Sequence, residues 1–84
     1  MNKIRERFKK IMCYIGSDHI ADEADDMTVE DMVKEAKYQL ETYYESGHSR
    51  GDMRYDEDPG VRKIWRSESE KLKRFINAYE EAIQ

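Results

Sequence analysis

From Asp58 to the end of the chain, apolar side chains recur at steps of one, three and four: Val61, Ile64, Trp65, Leu72, Phe75, Ile76, Tyr79 and Ile83. Residues so spaced share one face only if the chain is helical. Asp58 supplies an N-cap and Pro59 the favoured first helical residue, so the predicted helix covers 59–83. Glu68 alone interrupts the stripe, and Trp65, beside Ile64, is expected to be largely buried. A helix with one apolar face is marginal in water by itself and must lay that face on a partner.

The partner is legible upstream. Val29, Met32, Val33, Ala36, Leu40, Tyr43 and Tyr44 form a second stripe, predicting a helix over 28–45 that ends at Gly47. Thr28 and Asp31 have the spacing of a reciprocal cap, and the acidic residues around them suit the positive end of the helix dipole. Two long stripes running in opposite directions make an antiparallel hairpin. A shorter helix over 2–15 presents Ile4, Phe8, Ile11, Met12 and Ile15 and stops at Gly16. The expected fold is therefore all-α: a single domain over 1–84, a three-helix bundle built on the long hairpin, with the N-terminal helix packed across it. Residues 18–27 carry isolated apolar groups among carboxylates and suit either a short helix or an ordered loop. Residues 46–58 form a connection longer than the usual 2–8 residues, and long connections are often functional.

Composition narrows the function classes. A chain of 84 residues with 38% hydrophobic and 40% charged content builds a thin core, which favours completion on a second copy or on a partner. Apolar runs are too short to span a membrane, and the basic N-terminus lacks the apolar stretch of a secretory signal. Cys13 is the lone cysteine and is expected to be a small filler beside the first helix; it fits a reducing compartment, and the reading is cytoplasmic.

Catalysis and metal binding find little support. Ser17, Asp18 and His19 are consecutive, so their side chains diverge and form no relay. One cysteine and two distant histidines do not make a structural zinc site, and the acidic stretch from Asp56 has Ser67 where a calcium loop needs Glu. No cofactor and no metal are expected, apart from a weak divalent site that Asp22, Asp25 and Asp26 could make. Arg50-Gly51-Asp52 spells an integrin-type tripeptide, but three residues in a glycine turn are weak evidence.

Charge patterning remains. Residues 1–17 carry +4, while 18–31 carry seven acidic side chains and no basic one. The acidic collar of Asp18, Asp22, Glu23, Asp25 and Asp26 precedes the Thr28 cap, so capping does not account for it. Dense carboxylate on a small helical domain suits docking on a basic groove. The expected function is thus a non-enzymatic protein-binding module that inhibits or modulates a larger, basic, nucleic-acid-handling protein, as small mobile-element inhibitors do. The long loop, with Arg50, Asp52, Tyr55, Asp56 and Glu57, offers a second contact surface. The alternative is a nucleic-acid binder using Lys3, Arg7 and Lys10, which share a face of the first helix, with Arg62, Lys63, Arg66, Lys73 and Arg74 of the last. A homodimer with paired aromatics is the third reading, and membrane contact is not expected.

Overall fold

The computed structural model describes residues 2–45 and 57–83, and every element in them is helical. Helix α1 spans Asn2–Tyr14, α2 Asp18–Glu23, α3 Val29–Gln39 and α4 Pro59–Tyr79. A 3₁₀ turn at Ala24–Asp26 follows α2, a π-helical segment at Leu40–Glu45 prolongs α3, and a 3₁₀ turn at Glu80–Ile83 finishes α4.

Local chemistry sets the boundaries. Gly16 takes φ +83°, and the Ser17 amide donates to Met12 O at 2.7 Å while the Gly16 amide donates to Cys13 O at 3.1 Å. This paired closure needs the left-handed glycine. The Asp31 amide donates to Thr28 Oγ1 and the Thr28 amide donates to Asp31 Oδ2, each at 3.1 Å, completing the expected capping box. Asp58 Oδ1 accepts from the Gly60 amide at 2.8 Å, with Pro59 opening α4.

The hairpin pairs α3 and its π-helical extension with α4, antiparallel. Lys37 bonds Glu80 at one end, and at the other the Trp65 indole N–H donates to Tyr44 O at 2.7 Å. Helix α1 runs opposite to α4, from an Arg7–Tyr79 contact to a Tyr14–Ser67 contact. The core lies where these elements meet: Phe8, Met12, Met32, Val33, Ala36, Leu72 and Phe75 are wholly buried, and the Phe8 and Phe75 rings pack 5.6 Å apart.

Three points differ from the sequence reading, and one alternative it left open is resolved. Of the short helix or ordered loop it allowed for residues 18–27, the structure has a helix, which brings the α-helices among the described residues to four. Ile20, Ala21 and Ala24 are buried against α1, and Arg5 donates to Ala24 O at 2.9 Å and Met27 O at 2.7 Å. Those tertiary contacts hold a helix too short to stand alone. Glu68 does not break the stripe but joins it: it is buried and accepts a hydrogen bond from the Tyr44 hydroxyl. Trp65 is half-buried, packed against the core with its indole N–H donating to Tyr44 O, and Ile64 beside it is exposed. Cys13 is exposed rather than filling space, since its direction on α1 lies between the cationic edges and away from the core.

Candidate functional site

The ten-residue stretch Lys3–Met12 of α1 holds two sets of cations on opposite edges, about half a turn of helix apart. Arg5 and Lys9, one turn apart, point toward α2. Arg5 binds the two carbonyls already named, and Lys9 Nζ lies 2.7 Å from Asp25 Oδ1. Arg7 and Lys10 point the other way, toward α4.

On that side the two helices enclose a groove of about 300 Å³, lined by Arg7, Lys10, Ile11, Tyr14, Lys71 and Arg74. Its lining holds four cations and no carboxylate. Arg7 sits 5.6 Å from the centroid of the Tyr79 ring and donates to the Tyr79 hydroxyl at 3.3 Å. Tyr79 in turn packs edge-on against Phe75 at 5.0 Å, so this cation is mounted on the core. Tyr14 closes the far end: its hydroxyl lies 2.6 Å from Ser67 Oγ, and Lys71 Nζ stands 4.8 Å from its ring centroid. Among the described residues, the ion pairs are Lys9–Asp25, Lys34–Glu30, Lys37–Glu80 and Lys73–Glu45. None involves a cation of the groove. Arg62, Lys63 and Arg66 border a second cationic hollow at the start of α4.

The sequence-predicted residues divide accordingly. Arg7 and Lys10 belong to the groove, whereas Lys3 is exposed and outside its lining. The sequence reading does not single out Lys71 or Tyr14. Tyr14 did carry a signal, since it lies four residues after Lys10 and seven after Arg7, an aromatic on the cationic face rather than the apolar one. All five collar carboxylates are exposed: Asp25 pairs with Lys9, Asp18 neighbours the Cys13 thiol, and Asp22, Glu23 and Asp26 make no ion pair among the described residues. Of the loop residues, Arg50, Asp52, Tyr55 and Asp56 lie outside the described residues, and Glu57 is exposed.

Two groups titrate away from their ordinary values. The Lys9 ammonium, by hydrogen bond and by charge, with Arg5 adding to it, lowers the Asp25 carboxyl. The Cys13 thiol is raised by the desolvation it suffers and by the Asp18 and Asp22 carboxylates, which disfavour a thiolate. Among the described residues no three His, Cys, Asp or Glu side chains converge as metal ligands, and no helix is long and apolar enough to cross a membrane. A hollow of about 350 Å³ between α2 and α3, lined by His19, Glu35, Tyr38, Gln39 and Tyr43 among others, mixes polar and aromatic groups. There Gln39 is already committed to Glu35, its Nε2 donating at 3.1 Å.

Comparison with protein-family models, with curated proteins and with solved structures found no match.

Proposed function

We propose that this protein is a non-enzymatic, cytoplasmic nucleic-acid-binding module that holds a phosphate backbone in the groove between α1 and α4. One observation carries the reading: Arg7, Lys10, Lys71 and Arg74 converge on one concavity without a carboxylate partner among the described residues, while the cations on the other side of α1 are committed to the fold. Like charges gathered in this way repel one another, and phosphate oxygens relieve that repulsion. The negative net charge of −4 opposes binding only weakly at this site, because the carboxylates of α2 lie beyond α1 and charges farther away than about 8–10 Å are screened at physiological salt.

The test is an equilibrium titration with labelled nucleic acid at low ionic strength. Four phosphate contacts give a log–log salt slope of about −3. Replacing both Lys71 and Arg74 by Glu abolishes binding, and converting Asp22, Glu23 and Asp26 to Lys strengthens it. Failure of the unmodified protein to bind any nucleic acid at low salt overturns the reading.

A second reading rests on those same three carboxylates, which are exposed and have no ion-pair partner among the described residues. They support docking of the acidic flank on a basic, nucleic-acid-handling protein that this domain would modulate. In that case the three-Lys variant loses the partner instead of gaining affinity.

A further inference from the structure

We propose that the strand held in the groove is single, with one unpaired base stacked on Tyr14; this rests on the phosphate-binding reading above and names its ligand class. Tyr14 is 52% exposed although it abuts α4, so burial of its ring contributes little to folding. The ring is nonetheless held in place, by the hydroxyl contact to Ser67 at 2.6 Å and by the Lys71 ammonium 4.8 Å from its centroid. A fixed, half-exposed aromatic at the end of a cationic channel is the arrangement that binds single strands, in which every base has a π-face to offer and the backbone follows the charges. The buried Ile11 adds an apolar patch to the floor, suited to a sugar or a base edge.

Shape argues against a duplex. Proteins read duplex DNA by inserting a convex helix or ribbon into a major groove about 12 Å wide. Here the cations line a concavity between two helices, and the opposite side of α1 is covered by α2, so α1 cannot enter such a groove without losing those contacts. The convex backbone of a duplex meets the rims of this channel, whereas a flexible strand lies along its floor.

Fluorescence anisotropy on the full chain tests this, using a short labelled oligothymidylate, a duplex of equal length, an abasic strand and a polyglutamate peptide. The oligothymidylate binds more tightly than the duplex. Tyr14→Ala weakens it about 5- to 150-fold, the range for loss of one base–aromatic stack. Tyr14→Phe also loses the Ser67 contact but keeps the π-face, so it binds within about twofold of the parent; a purely structural clasp would be damaged equally by both changes. The abasic strand binds the parent and Tyr14→Ala alike, and circular dichroism shows both variants folded. Equal affinity for strand and duplex, indifference of the oligothymidylate to Tyr14→Ala, or equal binding of polyglutamate overturns the inference. Binding of either nucleic acid that still depends on Lys71 and Arg74 leaves the phosphate-binding reading standing, and absence of all nucleic-acid binding removes both.

Discussion

Replacing Arg5 by Met separates the structural from the electrostatic role of the α1 cations. The change keeps an unbranched stem of similar reach and deletes two charge-assisted hydrogen bonds, to Ala24 O at 2.9 Å and Met27 O at 2.7 Å. Hydrogen bonds to charged groups contribute about 1.5–3 kcal/mol each. Both are only partly buried, and water can take over the freed carbonyls, so the lower limit applies and the pair amounts to about 3 kcal/mol. A chain of 84 residues is typically stable by about 4–13 kcal/mol, so this loss is a substantial share of the whole. In urea, with a slope near 1–1.5 kcal/mol per molar for a domain this small, the midpoint falls by about 2–3 M. Arg5→Lys retains the charge but cannot span both carbonyls with one ammonium, and loses about half as much. Hydrogen exchange localises the damage: the amides of Ala24 and Met27 lose more protection than those of Phe75 and Ile76. A change below about 0.5 kcal/mol for Arg5→Met, or equal loss of protection in α2 and α4, would refute the claim that Arg5 is what holds the acidic segment onto α1.

Phe75 is wholly buried between the rings of Phe8 and Tyr79, so Phe75→Ala costs about 3–5 kcal/mol in urea unfolding; a cost under about 1 kcal/mol would mean the core is not packed there. Asp25 should titrate below its ordinary value of 3.8 in an NMR pH series, and Lys9→Met should return it toward that value. Because its folded value is lowered, its contribution to stability is present above the ordinary carboxylate range and disappears as pH falls through the folded value; an unmoved Asp25 midpoint in Lys9→Met would break the assignment of the pair.

The helix starts were legible because caps are local chemistry: Thr28 with Asp31, and Asp58 with Pro59, need only neighbours in sequence. The long stripes of α3 and α4 were legible because their periodicity persists over many turns. Helix α2 stayed open between helix and loop, since its six residues are held by Arg5 and by burial of Ile20, Ala21 and Ala24, contacts that reach back to α1. Glu68 read as an interruption because its partner, the Tyr44 hydroxyl, lies on the other arm of the hairpin. The groove shows the same limit. Spacing alone puts Arg7 and Lys10 on one face of α1, but nothing in spacing says that this face looks at Lys71 and Arg74. The collar was visible as composition, yet the commitment of Asp25 to Lys9 depends on how α2 folds back.

The division of α1 into one edge facing carboxylates and another facing cations sets opposite charge on its two sides, negative toward α2 and positive toward α4. A particle of net charge −4 with such a separation of charge is not simply repelled by a polyanion. At separations within a Debye length of about 8–10 Å the gradient exerts a torque, turning the α4 flank inward before any side chain touches. On the nucleic-acid-binding reading, encounters that begin with the wrong side forward would thus be rotated or rejected, shortening the orientational search that slows most associations. On that reading, the same carboxylates that weaken attraction at long range would sharpen the angular preference at short range, so the acidic flank would act as the rudder of the basic one.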